Sequence, residues 1–376
     1  MAGIYIHIPF CKTFCNYCDF YSITAQDSRE DFINALIKEA ELQANYTADE
    51  EIKTIYFGGG TPSLLLPDEA GDILKALKRI FKISENPEVT IEVNPDDVYP
   101  GFFSALARLG FNRVSLGVQS WNDRTLKYLG RRHNARQSKT ALELAASEGI
   151  TNISADIIYG IPGETLQEFR SDLETMFTFP IKHLSAYHLT IEEGTRFGKM
   201  REQGKLTETD EETSISMFSI LTAESAKRGF VHYEISNFAQ EGYISLHNSS
   251  YWKQVSYLGL GPSAHSFNGQ SRQWNISNVK KYISSINKGQ VPFEMEELDI
   301  RTMFNEYVMT SLRTMWGIDL EFVEKRFDRE MADYLVNVSD KFVRYGLVIN
   351  NKKTLVLTDQ GKMISDNIIS QLLMVQ

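Results

Sequence analysis

Three cysteines, Cys11, Cys15 and Cys18, are the only cysteines in 376 residues, and they stand in the spacing C-x3-C-x2-C. Three thiolates on one short loop can hold three irons of a cubane [4Fe–4S] cluster. The fourth iron is then open, and a small molecule can ligate it. The same spacing also suits a structural zinc held by three cysteines and a histidine, with His7 or another histidine as fourth ligand. An odd number of cysteines in one cluster is not a disulfide framework, and it fits a reducing compartment. A second reactive-looking feature is Phe57-Gly58-Gly59-Gly60-Thr61-Pro62. Consecutive glycines let the backbone approach a ligand and aim N–H groups at it, although the same run also serves as a tight turn from strand to helix.

Polar residues then recur at the ends of apolar runs. Glu92 and Asn94 close one run, Gln119 ends the next, and Asp156 lies inside Ile153-Ser154-Ala155-Asp156-Ile157-Ile158. An acid in such surroundings is costly unless it is paired or binds something. Each residue alone could cap or pack. Five successive strands delivering such groups to one rim argue for a site at the carboxyl ends of a parallel sheet. Arg131-Arg132-His133 offers a guanidinium for a carboxylate or, equally, a solvated charged turn. His247, in His247-Asn248-Ser249-Ser250-Tyr251-Trp252, reads as a haem ligand or as a buried, hydrogen-bonded histidine. His265, in the close-packed run Leu258–Phe267, is open in the same way.

The elements that must position these residues alternate through the first half. Strands are expected at 4–10, 54–58, 89–94, 113–119, 152–159 and 183–191. Helices are expected at 31–44, 68–81, 102–109, 135–148 and 166–178, with Gly110 and Gly149 as stop signals. This alternation predicts an α/β fold with a parallel sheet, either doubly wound or a barrel. After Gly194 the rhythm changes. A helix is expected at 210–227, an irregular stretch at 231–274 and a helix at 278–288. The last part reads as three helices and a hairpin turned at Asn350-Asn351, a winged-helix-like pattern. The chain exceeds the size at which one core stops growing, and the division read from it is a core at 1–230, an extension at 231–290 and a C-terminal unit at 291–376.

A net charge of −10 and a pI near 5.3 argue against nucleic acid as a partner, for the wing as for the rest. No basic, apolar leader and no run of 18 apolar residues are present, so a cytoplasmic protein is expected.

Together these stretches resemble the radical S-adenosylmethionine (SAM) superfamily and, within it, the HemN/HemW family of coproporphyrinogen oxidases and haem chaperones. The likeness rests on YIHIPFCKTFCNYCDF, YFGGGTPS, IEVNP, SLGVQS, GRRH, DIIYGIPGET and GLGPSAHSF, and it runs through essentially the whole chain. It implies a partial (β/α)6 TIM-like barrel with an α+β extension and a smaller, mostly helical, winged-helix-like C-terminal domain. It assigns the [4Fe–4S] cluster to Cys11, Cys15 and Cys18. It assigns SAM to Tyr5, Gly59, Gly60, Thr61, Glu92, Gln119, Arg131 and Asp156, with Arg131 on the carboxylate and the two acids near the nucleoside. Reductive cleavage of SAM to methionine and a 5′-deoxyadenosyl radical is the reaction such a core supports. The family's oxidases read C-x3-C-x2-C-x-C, whereas Phe20 occupies the extra cysteine's position here, and they carry an extension before the cluster loop, whereas ten residues precede Cys11. His247–Trp252 matches the H-N-x-x-Y-W pattern of the chaperone branch, which assigns His247 to haem. The resemblance therefore implies a haem chaperone that passes haem to apo-haem proteins such as respiratory enzymes. It also implies an electron-donor protein and at most peripheral membrane contact through partners. The alternative is oxidative decarboxylation of coproporphyrinogen III.

Overall fold

Six strands alternate with helices in the computed structural model, which describes residues 1–48 and 50–374. They are β1 (Ala2–Ile8), β2 (Ile52–Gly59), β3 (Ile83–Val93), β4 (Arg113–Gln119), β5 (Asn152–Tyr159) and β6 (His183–His188). All neighbouring pairs are parallel and run in sequence order, β1-β2-β3-β4-β5-β6. Helices cover the outside, so these strands are buried on both faces and read as nearly continuous apolar runs. β4 and β5 match the expected bounds, and other ends shift by a few residues. β3 begins six residues earlier than its apolar run, because Ile83 pairs with Ile52 ahead of Pro87. The helix Asp123–Tyr128 was not anticipated. At six residues it is too short for a 3.6-residue period to register.

The stretch expected to be irregular instead holds five short strands and the helix Leu246–Trp252. β7 (Phe230–Glu234) and β8 (Asn237–Gln240) extend the sheet beyond β6. β9 (Ser256–Leu260) joins β1 in parallel, and β10 (His265–Phe267), β11 (Ser271–Asn275) and β12 (Phe293–Glu297) follow antiparallel. The result is an open twelve-stranded sheet, β12-β11-β10-β9-β1-β2-β3-β4-β5-β6-β8-β7. β1 and β6 do not pair, so the barrel is partial. Strands of three to five residues rich in Ser, Gln and Asn give no period-2 signal, which is why the sequence hid them.

One large apolar core lies under this sheet, from Ala2 to Ile286. A second core, Phe304 to Leu372, holds the C-terminal unit together. Its helices Ile300–Leu312, Leu320–Arg326 and Arg329–Arg344 precede a hairpin of Val348–Asn350 and Thr354–Leu357. Asn351 Oδ1 accepts from the N–H groups of Lys353 and Thr354 and shapes the turn. Two further helices, Asp359–Met363 and Ser365–Leu372, follow the hairpin and were not anticipated. Among the described residues no helix is long and apolar enough to cross a membrane.

Candidate functional site at the carboxyl rim

The cysteine loop leaves the carboxyl end of β1 and is tied down at both ends. Cys11 N–H donates to the Ile23 carbonyl at 2.9 Å, and Ile23 N–H donates to Pro9 at 2.7 Å. In the middle, Asn16 anchors the loop to the turn after the helix Asp123–Tyr128. Its N–H donates to Leu129 O at 2.9 Å, and its side chain donates to Tyr128 O at 2.7 Å. Its carbonyl accepts from Phe197 N–H at 2.9 Å. Gly130 makes this approach possible: it has φ +77, and a Cβ there would stand 3.1 Å from Asn16. A small apolar cluster, including Leu129, Ile158, Ile161 and Phe197, packs beneath, with Tyr17 against it.

Arg131 follows Gly130 and turns back into the rim. Its Nη1 donates to Cys15 Sγ at 3.5 Å, and its Nη2 donates to Gly117 O at 3.0 Å and to Asn94 Oδ1. Tyr17 also meets the guanidinium. Arg131 Nε is buried and has no hydrogen-bond partner among the described residues. A buried donor left over in this way is a place for a ligand oxygen. Gln119, with φ +67, ends β4 beside it; a Cβ on Gly117 would meet Gln119 Nε2 at 3.0 Å and Arg131 Nη2 at 3.1 Å. Arg132 pairs with Asp96 at 2.6 Å and with Asp97, while His133 is buried against Val118 O and takes no part in the rim.

The glycine run closes the other side. Thr61 Oγ1 lies 3.3 Å from Cys11 Sγ. Gly60 N–H donates to Ile8 O at 2.8 Å, and a Cβ on Gly60 would stand 2.8 Å from Phe10 O and 2.9 Å from Ile8 O. Gly59, at φ +106, lies over His7, and Gly58 faces Tyr5 and Glu92. These glycines are therefore required by close approach as well as by the turn.

Deeper inside, Tyr5 stacks on Tyr56, whose hydroxyl donates to Glu92 Oε1 at 2.8 Å. Ser115 donates to Asp156 Oδ1 at 3.0 Å. Burial lifts Glu92 to about 7, with the Asp156 charge adding to it. Burial also raises Asp156. These are hydrogen-bond acceptors held in a confined space, the arrangement that suits hydroxyl and amino donors of a ligand.

His247 lies elsewhere. Its helix, Leu246–Trp252, is capped by Glu88 and sits against the starts of β2 and β3, at the opposite end of the strands from the cysteines. The ring is 2% exposed. Its Nδ1 meets Thr54 Oγ1 at 2.8 Å and its Nε2 meets Tyr251 OH at 2.8 Å. Burial pushes its pKa down to about 3. As arranged, neither ring nitrogen is free for iron.

The residues fit a cluster better than a single ion. The three cysteines are free thiols. Burial, with the nearby Cys15 and Cys11 adding to it, lifts Cys18 to about 11. A cationic iron core would relieve that repulsion. Among the described residues no three Cys, His, Asp or Glu side chains converge on one point as ligands of one ion must. His7, the candidate fourth zinc ligand, spends Nε2 on Tyr21 O at 2.8 Å and Nδ1 on Tyr5 OH at 3.2 Å. A cubane spreads its thiolates over separate corners and asks for less convergence.

Sequence reasoning missed Asn16, Tyr17 and Asp97. Asp97 accepts from Lys12 at 2.6 Å and from Ser63 at 2.9 Å, joining three loops of the rim. Only their place inside or beside the motifs could have signalled them. A cavity of about 310 Å³ lies beside the loop, reaching from Phe20 and Tyr21 to Tyr5, Tyr251 and His265. A wider groove of about 1310 Å³ on the outer face, between the helices Ala135–Ser147 and Leu166–Met176, holds none of the residues above.

The profile of the Radical SAM superfamily matches residues 5–176, and that of the HemN C-terminal domain matches residues 298–364. The Bacillus subtilis protein named heme chaperone HemW is 33% identical over 377 residues, covering 99% of both chains. Its Mycobacterium tuberculosis namesake is 32% identical, covering 99% of this chain and 94% of its own. The solved Escherichia coli coproporphyrinogen III oxidase HemN, described as a radical SAM enzyme, superposes with a TM-score of 0.85 at 22% identity, over 99% of this chain and 90% of that one. At that identity the structural likeness speaks for the fold. With the cysteine loop, the glycine run and the strand-end polar groups gathered on one rim of that fold, and with a third of its residues shared from end to end with the HemW proteins, the chain belongs to the HemN/HemW family of the radical SAM superfamily.

Proposed function

We propose that the protein is a haem chaperone that keeps a radical SAM core: it binds haem and delivers it to apo-haem proteins such as respiratory enzymes, without oxidising coproporphyrinogen. The observation that carries this reading is the end-to-end likeness to proteins named heme chaperones, in a chain with Phe20 two residues beyond the last cysteine.

In this reading Cys11, Cys15 and Cys18 hold a [4Fe–4S] cluster, and Arg131, with its unpartnered Nε, takes the SAM carboxylate. Gly59, Gly60 and Thr61 offer backbone and hydroxyl groups to the methionine part. Tyr5, Glu92, Gln119 and Asp156 surround the nucleoside. A bound cluster supplies an open iron for the amino and carboxylate groups of SAM and an electron for its sulfonium. The chain's own part is to hold the ligand against that iron and to keep bulk water from the half-buried thiols. Reduction calls for an electron-donor protein, and the compartment is the cytoplasm.

The family pattern gives haem to His247, which requires Tyr251 to release Nε2. A second reading, coproporphyrinogen III oxidation, is favoured by the likeness of fold to HemN, but that likeness reaches no further than fold. The test is anaerobic: reconstituted protein is titrated with haem and mixed with an apo-haem protein, and coproporphyrinogen III is assayed alongside. Haem binding and transfer without porphyrinogen turnover is the expected result. Steady conversion to protoporphyrinogen IX overturns it.

A further inference from the structure

Two imidazoles, His7 and His265, line the cavity beside the cysteine loop, and a third, His247, stands behind Tyr251 in its wall; their hydrogen bonds distinguish them. His7 has both nitrogens engaged, by Tyr21 O and by Tyr5 OH. His247 stands behind the cavity wall, its Nε2 closed off by Tyr251 OH at 2.8 Å. His265 lines the cavity directly, is exposed, and has no ring hydrogen bond among the described residues.

We propose that His265, rather than His247, is the axial ligand of haem, which enters the cavity beside the cysteine loop edge-first. This rests on the haem-binding reading above and names its ligand. The walls suit a flat aromatic macrocycle: Tyr5, Tyr21, Tyr257 and Phe20 line the cavity, and Phe20 is 67% exposed. About 310 Å³ is at the small end of ligand cavities. It admits one edge of the ring and leaves the remainder toward solvent, where an acceptor can take it.

The backbone around His265 is built to present it. Gly261 has φ +99 and Ser263, a non-glycine residue lining the cavity, has φ +65. The Gly261 N–H is held by buried Glu39 at 2.8 Å. Gly259 leaves room for the His265 carbonyl, where a Cβ would come within 2.1 Å. The ring stacks on Trp274, centroids 6.1 Å apart, which orients it. Burial and the nearby Arg272 lower its pKa, so the imidazole is neutral and able to ligate.

The experiment titrates the full, cluster-loaded chain anaerobically with ferric haem. Resonance Raman spectra excited in the haem Soret band read the axial ligand apart from the cluster. Wild type and His247→Ala should share one histidine-ligated spectrum. His265→Ala should bind roughly tenfold or more weakly and lose that signature, and His265→Met should replace it with a thioether-ligated one. Spectra and affinity unchanged in His265→Ala, or a signature lost only in His247→Ala, overturn the assignment and leave the chaperone reading standing. Failure of wild type to bind haem at all overturns both.

Discussion

At the scale of single residues, the site is a set of polar groups with few spare partners. Arg131 is the clearest case, since it touches Cys15, Gly117 and Asn94 and still has a buried N–H unused. A lysine keeps the charge but not the planar fork. Arg131→Lys should therefore lower SAM affinity by roughly tenfold while iron and sulfide content hold. Equilibrium dialysis with the cluster-loaded protein measures this, and equal affinity would move the carboxylate elsewhere. Asn16 is the opposite kind of residue, one that touches no ligand yet fixes the loop. Asn16→Ala leaves Tyr128 O without its donor and should cost about 1–2 kcal/mol, read by denaturant unfolding, with faster cluster loss in air. Residues that the fold gathers at the rim, such as the three cysteines, the glycine run and Arg131, were legible from type and spacing. Residues that hold them, such as Asn16 and Asp97, were not, because a hydrogen bond over about a hundred positions leaves no local mark. His247 could not be settled either: its motif is readable, but the hydroxyls of Thr54 and Tyr251 on its two nitrogens belong to the tertiary fold.

At the scale of elements, the long parallel strands and their helices were readable because each repeats its pattern over eight or more residues or sits between clear stops. The short strands β7 to β12 were not, and with them went the view of how the 261–265 turn meets the barrel. That turn is fastened by Glu39 on the helix Arg29–Leu42. Glu39 is fully buried and accepts from Tyr282 OH, Asn275 Nδ2, Gly261 N–H and Gln43 Nε2. Burial outweighs these donors and lifts its pKa to about 7. A carboxyl that binds its proton more tightly when folded favours the folded state at low pH. Its contribution is therefore present below about pH 4.5 and is lost as pH rises through about 7. The loss is on the order of 3 kcal/mol. Unfolding free energies from pH 4.5 to 8 should fall more steeply in wild type than in Glu39→Gln, and parallel curves would show that the carboxyl does not titrate in this window. Gly60→Ala tests the β1–β2 rim instead. Its methyl would collide with two main-chain carbonyls that cannot rotate away, at a cost of roughly 1–3 kcal/mol, and a thermal melt should register it.

At the scale of the whole molecule, an open sheet has two edges to protect, and the C-terminal unit meets strands near both. Beside β7, Ile235 N–H donates to Arg313 O at 3.1 Å and Met315 N–H donates to Tyr233 O at 2.9 Å. Backbone pairing of this kind keeps a strand edge from recruiting another chain. Near the other edge, Arg272 on β11 pairs with Glu296 on β12 and with Glu306 on the helix Ile300–Leu312. Between them Lys253, just after the His247 helix, lies 4.2 Å from the Trp316 ring. The C-terminal unit thus works as a brace between strands near both edges of the open sheet, and it meets the His247 helix at the end opposite the cysteines. A brace of this kind requires Arg272 and Glu306 to be energetically coupled. Single and double alanine substitutions at the two positions should give a coupling of about 0.5–1.5 kcal/mol in a double-mutant cycle, modest because the arginine is about one-third exposed. Amide exchange in 230–234 should rise with each substitution, since loosening one end of the brace loosens the other. Additive effects with unchanged exchange at β7 would mean that the two edges are protected separately and that the unit is merely appended.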